Sequence, residues 1–309
     1  MKNRNLSTLL VLAGILSSLA CTPKKIASDI TSQIMKGGSP AFEMEQDPAL
    51  AEEAGLGLIK TMEVFHYDNP KNKNYMVLMS KSYATYALGF FEWNMLKYKN
   101  VDETKRALNE KRAIMFYKRG KELGLEVLSR NGDFEKALTQ DVDAFKKSLN
   151  SFGKKSVPAL FWTAFNWGSV INLNRTDPMS IAELPKVEAI VERVLKLDPN
   201  FYYGGPNLFF GVSLGSRSAM FGGNPAKSKE HFEAALAAYQ RKYLMTQVMY
   251  AQTYAVQNND RALFESLLNE VLNTATDILP AQRLANELAH ERARWLLDNA
   301  NTIFANAGM

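Results

Sequence analysis

The stretch "LPKVEAIVERVLKLDPN", residues 184–200, decides the fold class. Its apolar residues recur every three or four positions, which is the spacing of one face of an α-helix. Pro185 fits the first turn of a helix, where the missing N–H is not needed, and Pro199 ends it. The pattern predicts an amphipathic helix whose buried face carries Val187, Ile190, Val191, Val194 and Leu195.

The same helical spacing recurs downstream. "NPAKSKEHFEAALAAY" follows Gly222 and Gly223, with Asn224 as the expected N-cap and Pro225 in the first turn. "NDRALFESLLNEVLN" repeats its apolar pairs every three to four residues, and "LPAQRLANELAHERARWLL" behaves similarly. No segment shows the alternation of a β-strand, so we predict an all-α fold.

The helices are arranged as pairs joined by short connections. Gly168, Gly211 and Ala251 recur at intervals of 43 and 40 residues, and "VLKLDPN" and "HFEAALAAY" resemble the ends of tetratricopeptide (TPR) repeats. A helix pair cannot bury its own apolar face and must stack on its neighbours. We therefore predict TPR-like stacked antiparallel helix pairs that form one curved domain over residues 47–309.

The N-terminal region has the order of parts of a bacterial lipoprotein leader. Lys2 and Arg4 precede an apolar run of signal-peptide length, which is short for a membrane span. The run ends in "SLAC", which resembles a lipobox, and Cys21 is the single cysteine. We predict a signal peptide at residues 1–20 and a membrane anchor of acyl chains on Cys21. A plain signal peptide with an incidental cysteine is the alternative. By resemblance to known sorting patterns, Thr22 favours the outer membrane, with the protein on its periplasmic side.

Residues 21–46 are polar and are interrupted by Gly37, Gly38 and Pro40. Because glycine and proline disfavour a helix interior, this composition predicts a tether, with or without a short helical turn, before the domain at residues 47–309.

Composition and motif content argue against several function classes. Basic residues exceed acidic ones by five, which is too few to indicate nucleic acid binding. His66, His231 and His290 lie in unrelated segments, so they do not form a recognisable set of metal ligands. The lone cysteine excludes internal disulfides, and neither G-x-S-x-G nor a phosphate-binding loop occurs. We predict no catalytic residue, no metal, no cofactor and no enzymatic activity.

The segment "VPALFWTAFNWGSVINL" is the richest in aromatic residues. On a helix, Phe161 and Phe165 share one face, Trp162 lies beside them, and Trp167 points elsewhere. The helix is therefore apolar nearly all round, which fits either an aromatic core or one wall of an apolar pocket. Asn166 within it needs hydrogen-bond partners if it is buried.

The stretch "FYYGGPNLFFG", residues 201–211, reads as a corner between two helices. Glycine and proline account for the corner itself, but not for the rings beside it. Arg217 stands in an otherwise apolar helix; if buried, it needs an acidic partner or an anionic ligand, and at a helix end it needs neither. The candidate ligand path is formed by Phe161, Trp162, Phe165, Tyr202, Tyr203, Phe209, Phe210 and Arg217.

Three segments in order, "VPALFWTAFNWGSVINL", "LPKVEAIVERVLKLDPNFYYGGPNLFFG" and "GGNPAKSKEHFEAALA…LFESLLNEVL", resemble the TatT family. These proteins are the T-components of tripartite ATP-independent periplasmic (TRAP) transporters. The resemblance covers roughly residues 47–297. It implies a helical periplasmic lipoprotein that forms a homotrimer and has a hydrophobic, pore-like cavity in each protomer.

The resemblance also implies a partner, the periplasmic substrate-binding protein of a TRAP system, and a role in ligand access without catalysis. A hydrophobic small molecule is the expected ligand. The competing hypothesis is an envelope scaffold lipoprotein that binds another protein and binds no small-molecule ligand. Such a protein needs an exposed groove and no cavity.

Overall fold

Helices make up the regular structure of the part of the chain that the computed structural model describes, residues 23–307, with side chains from 29 to 305. No β-strand occurs within that part, so the all-α prediction is confirmed. The expected signal peptide at residues 1–20 and the expected acylation site, Cys21, lie outside the described residues.

The first half of the described chain winds through long helices with short connections. A π-helical turn, Ala87–Phe91, joins the third helix to the fourth without a break. The α-helices are α1 (Pro23–Glu43), α2 (Pro48–Asp68), α3 (Lys73–Tyr86), α4 (Glu92–Tyr98), α5 (Glu103–Leu128), α6 (Gly132–Ala137), α7 (Val142–Ser148) and α8 (Val157–Leu173).

The second half contains the helices predicted from apolar spacing. A second π-helical turn, Ala251–Ala255, follows α13. The α-helices are α9 (Pro178–Ala182), α10 (Leu184–Leu197), α11 (Phe201–Gly215), α12 (Pro225–Ala238), α13 (Met245–Tyr250), α14 (Arg261–Asn273), α15 (Arg283–Asp298) and α16 (Ala300–Ala307).

The predicted helix faces and caps are found in place. In α10, the side chains of Val187, Ile190, Val191 and Val194 are buried, whereas Leu195, also predicted for this face, is half-buried. The Asn224 side chain accepts a hydrogen bond of 3.0 Å from the Lys227 N–H and so caps α12. The amphipathic face of α14 buries Phe264, Leu267, Leu268 and Val271.

Helix α1 occupies most of the segment for which an irregular tether was expected. It continues through Gly37, Gly38 and Pro40 and packs against α2, α3 and α15. Its apolar side chains, including Met35 and Phe42, lie against the core of the domain. This tertiary packing outweighs the weak helical preference of glycine and proline.

Helix α8 lies at the centre of the molecule and packs against α3, α5 and α10. The C-terminal helix α15 returns to the N-terminal end and contacts both α1 and α2. The helices therefore close around a central space instead of ending as an open stack. Within the described residues, no helix combines the length and the apolarity of a membrane span.

Candidate functional site

A cavity of about 1610 Å³ lies between α8 and α11 on one side and α1–α4, α13 and α15 on the other. Most of its lining surface is apolar. Since α1 supplies part of the wall, the segment next to the expected lipid anchor belongs to the site. The apolar side chains at the wall include Phe42, Leu58, Phe90, Leu96, Leu208, Val212, Met249 and Leu288.

Aromatic rings from α8 and α11 form one continuous part of the wall. The Trp162 ring meets the Tyr202 ring edge-on, with ring centres 4.7 Å apart, and lies 5.0 Å from the Phe161 ring. These geometries are the favoured ones for aromatic pairs. Of the eight residues named from sequence, the cavity is lined by Phe161, Trp162, Phe165, Tyr202, Phe209 and Arg217.

The backbone of the corner sets the direction of these rings. Tyr202, Tyr203 and Gly204 are all left-handed, with φ values of 45°, 59° and 79°. The expected glycine corner therefore begins at the two tyrosines, for which this conformation is costly. Gly205 has an ordinary φ, but a Cβ there would lie 2.6 Å from the Phe161 ring. Its role is to let α8 and α11 approach.

Tyr203 and Phe210, which were also expected along the ligand path, pack elsewhere. The Tyr203 ring stacks on Tyr243, with centres 5.1 Å apart and planes at 18°. The Phe210 ring stacks on the His231 imidazole at 5.1 Å. Tyr243 itself lines the cavity, so Tyr203 supports the wall from behind.

Arg217 has the acidic partner that a part-buried guanidinium requires. Its Nη2 donates to a Glu188 carboxylate oxygen at 2.9 Å, and its Nε donates to the Ser213 carbonyl at 2.7 Å. Because its charge is compensated within the protein, Arg217 does not depend on an anionic ligand.

Sequence reasoning missed a group of charged residues on the cavity wall: Glu92, Arg175 and Arg292. Two signals pointed to it. Glu92 stands between aromatic residues in "GFFEWN", and Arg292 falls on the apolar face of α15 between Leu288 and Leu296, four residues away on either side.

Glu92 and Arg292 are held by groups that are distant in sequence. The Tyr117 hydroxyl donates to Glu92 at 2.5 Å. Arg292 is 3% exposed and donates through Nη2 to the carbonyls of Leu88 and Gly89, in the π-helical turn. Arg292 Nε is buried without a partner among the described residues.

The surroundings shift the protonation equilibria of this group. Burial raises the pKa of Glu92, although the Tyr117 hydrogen bond and the charges of Arg292 and Arg175 act in the opposite direction. Burial lowers the pKa of Arg292, and burial together with Arg217 lowers the pKa of Arg175. A guanidinium nevertheless stays charged at neutral pH.

The buried Asn166 finds partners for its amide nitrogen, whereas its Oδ1 is buried without a partner among the described residues. Its Nδ2 donates to the Ser80 carbonyl at 3.0 Å and to the Trp162 carbonyl at 2.7 Å. The Ser80 hydroxyl in turn donates to the Gly120 carbonyl at 2.8 Å. These bonds connect α8 to α3 and α5 behind the aromatic wall.

A family model described as TRAP transporter T-component matches residues 44–304, which is most of the chain. The chain belongs to the TRAP transporter T-component family. The family resemblance recognised in the sequence is thereby confirmed, and it supports an accessory role in TRAP transport at the cell envelope.

A relative from Treponema pallidum (strain Nichols), described only as an uncharacterized protein, is 25% identical to this T-component over 273 residues. The match covers 85% of this chain and 82% of the relative. The likeness therefore extends over nearly all of both proteins.

Proposed function

We propose that this T-component holds a hydrophobic ligand in its central cavity and passes it to or from the substrate-binding protein of a TRAP transporter. The observation that carries the proposal is the cavity of about 1610 Å³, with its mostly apolar lining, in a member of this family. Pockets for small molecules usually measure roughly 300–1,000 Å³. The space is thus large enough for one apolar molecule, and the aromatic rings of α8 and α11 offer it a surface to bind.

We further propose that acyl chains on Cys21 hold the protein on the periplasmic side of the envelope, at the outer membrane. The leader sequence supports this placement. Helix α1 begins at Pro23, two positions after Cys21, and also lines the cavity. The anchored N-terminus and the part of the cavity wall that begins at Ile34 would then belong to one continuous helix.

The proposed architecture is a degenerate TPR-like stack that assembles as a homotrimer. The stack is supported by a repeated contact between small and large residues. A Cβ at Gly168 would lie 2.9 Å from the Phe209 ring and in ordinary contact with Val187 at 3.4 Å, and one at Gly211 would lie 2.9 Å from the Phe232 ring. The trimer rests on the family resemblance, and the native mass of the purified protein tests it.

Ligand binding is tested by blocking the cavity. The experiment uses the mature chain with Cys21→Ser, so that no acyl chain competes, and the neutral apolar dye N-phenyl-1-naphthylamine. Ala285 lines the cavity from α15, whereas Ala234 lies on the exposed face of α12. We expect Ala285→Trp to weaken dye binding about tenfold or more, because the indole occupies the site, and Ala234→Trp to leave it unchanged. Equal binding by both variants would refute the role of the cavity.

Partner binding is tested separately. The mature chain is immobilised and exposed to the TRAP substrate-binding protein of the same organism, with an unrelated periplasmic binding protein as the control. Saturable binding of the first protein only is the expected result. If the TRAP substrate-binding protein binds no better than the control protein, the transport role is refuted and the scaffold hypothesis is the one that stands.

A further inference from the structure

Helix α1 forms part of the cavity wall at a place where the cavity meets solvent. Six residues of α1 line the cavity: Ile34, Met35, Gly38, Ser39, Phe42 and Glu43. Ile34 is 68% exposed although it lines the cavity, and Leu58 on α2, which also lines it, is 40% exposed. Because these lining side chains are also open to water, the cavity is accessible from outside along α1 and α2.

The middle of α1 has the sequence of a weak helix. Gly37, Gly38 and Pro40 lie within four positions. Each glycine disfavours the helix relative to alanine, and Pro40 has no N–H to donate to the Lys36 carbonyl. Packing does not require the glycines, since a Cβ at either position would have no neighbour within 4 Å among the described residues. The glycines therefore supply backbone freedom here and not a close approach of helices.

The part of α1 before these glycines is fixed by its own contacts. The Asp29 carboxylate accepts hydrogen bonds of 2.8 Å from the side-chain amides of Asn69 and Asn72, in the connection between α2 and α3. The Tyr75 hydroxyl contacts the Met35 sulfur at 3.1 Å. Bending at the two glycines would therefore leave this first part in place.

In the part of α1 after the glycines, one carboxylate makes the contacts to other elements that involve charge. Glu43 forms an ion pair with Lys81 of α3 and accepts a hydrogen bond from the side-chain amide of Gln282, just before α15. The Glu43 and Lys81 side chains are 20% and 22% exposed, and all three residues line the cavity. The ion pair therefore lies at the edge of the cavity, between α1 and α3.

This ion pair adjoins the aromatic wall. The Lys81 ammonium lies 5.2 Å from the centre of the Tyr202 ring, which packs on Trp162. Phe42, the residue before Glu43, also lines the cavity and is half-buried. If Glu43 moves away from Lys81, the opening leads directly to the rings that are proposed to bind the ligand.

We propose that residues 39–43 form a flap over the cavity, which Glu43 holds closed and which bends at the two glycines to admit or release the ligand. On its other side the flap ends in the non-helical connection at residues 45–47, so the chain can bend at both of its ends. Opening breaks the two polar contacts of Glu43 and moves one phenyl ring. The inference rests on the proposed function, since it describes how the ligand of that cavity enters and leaves.

The test measures how fast N-phenyl-1-naphthylamine enters and leaves the mature chain with Cys21→Ser, by stopped-flow fluorescence. Gly37→Ala stiffens the bending point and leaves the wall unchanged, because Gly37 is exposed and lies outside the cavity lining. Helices favour alanine over glycine by a factor of about five. We expect the association and dissociation rate constants both to fall about fivefold. The dissociation constant should stay the same within about twofold, because the variant changes only how often the flap opens.

Glu43→Gln should have the opposite effect. An ion pair that is about one-fifth exposed contributes more than a fully exposed pair and less than a fully buried one. We therefore expect both rate constants to rise about five- to tenfold when the pair with Lys81 is lost. If this variant does not fold, Gly37→Ala decides alone, since a substitution that favours the helix does not endanger the fold.

Two matched controls separate flap opening from a general change in stability. Gly57→Ala gives α2 the same helical advantage, because a Cβ there also has no neighbour within 4 Å. Glu265→Gln removes an ion pair with Arg261 on α14, and neither residue lines the cavity. Both controls should leave the two rate constants unchanged.

The outcomes separate this inference from the function on which it rests. Unchanged rates in Gly37→Ala or in Glu43→Gln refute the flap, as does an equal change in Gly57→Ala, while the cavity stands as the binding site. If the dye does not bind, or binds Ala285→Trp as well as the unaltered chain, the proposed function fails and this inference fails with it.

Discussion

The contact between Gly120 and Asn166 makes a quantitative prediction about how α5 packs against α8. A Cβ at Gly120 would lie 2.4–2.6 Å from the Oδ1, Cγ and Nδ2 atoms of Asn166. Ordinary contact begins near 3.4 Å, so the amide would have to move by roughly 1 Å. It cannot do so easily, because Asn166 is fully buried and bonded to Ser80 and Trp162.

Each single variant should therefore be costly. Overpacking of a core costs about 1–3 kcal/mol, and each lost buried hydrogen bond costs about 1 kcal/mol more. We expect Gly120→Ala to lower the free energy of unfolding by about 2–4 kcal/mol. Asn166→Ala should lower it by a similar amount, because it removes the bonds to α3 and leaves a void.

The double variant shows whether the two destabilising effects come from the same contact. Once Asn166 is an alanine, the added methyl at residue 120 no longer meets an amide and fills part of the void. We expect Gly120→Ala/Asn166→Ala to be no less stable than Asn166→Ala alone, which is a coupling of about 2 kcal/mol or more. Urea unfolding followed by circular dichroism measures all four free energies. Gly57→Ala is the control, since nothing lies within 4 Å of its Cβ. If the two losses simply add, the proposed contact between the helices is refuted.

Two further predictions concern the corner and a surface ion pair. Gly205→Ala should lower the free energy of unfolding by about 1–3 kcal/mol, because its Cβ would lie 2.6 Å from the Phe161 ring; an unchanged urea midpoint would contradict this. Glu270 accepts hydrogen bonds from Arg241 at 2.6 and 2.5 Å, and these bonds hold the pKa of Glu270 below its ordinary value of 4.5. The pair therefore stabilises the fold above about pH 4.5 and loses this effect as the pH falls through the folded-state pKa. Glu270→Gln should lower the free energy of unfolding by up to about 1 kcal/mol at pH 7, as measured by urea titration. The difference in this free energy between the variant and the unaltered chain should become smaller towards pH 4. A difference that does not change with pH would count against the ion pair.

Local periodicity was enough to predict much of the fold. In α10, α12 and α14, the spacing of apolar residues predicts the buried face. Pro185 marks the start of α10, and Asn224 and Pro225 mark the start of α12. These signals are local, because they depend only on residues within a few turns of one another. Helix α1 was not foreseen, because its stability comes from side chains on distant helices and not from its own sequence.

The site could be predicted only in part, for a similar reason. The aromatic residues of α8 lie in one short segment, so the sequence alone indicated them. Arg292 and the carbonyls of Leu88 and Gly89 are about 200 positions apart, and only the folded chain brings them together. The spacing of residues also could not predict that Tyr202 and Tyr203 adopt a left-handed backbone conformation, since glycine is the residue expected in that conformation. Acylation of Cys21 and the trimer remain predictions.

The π-helical turn at Ala87–Phe91 predicts how a one-residue insertion or deletion at this point would change the cavity wall. In this turn the Glu92 N–H donates to the Ala87 carbonyl, five residues earlier, so the turn contains one residue more than an α-helix needs. Removing one residue from the turn would restore the regular helix and leave the orientation of the following residues nearly unchanged, because the wide turn absorbs the extra residue. The carbonyls of Leu88 and Gly89 would then be taken up by the helix, and Arg292 would lose its acceptors. A relative with a one-residue gap at this point would keep the counterparts of Glu92 and Trp93 on the wall, but a single deletion would have removed the anchor of Arg292.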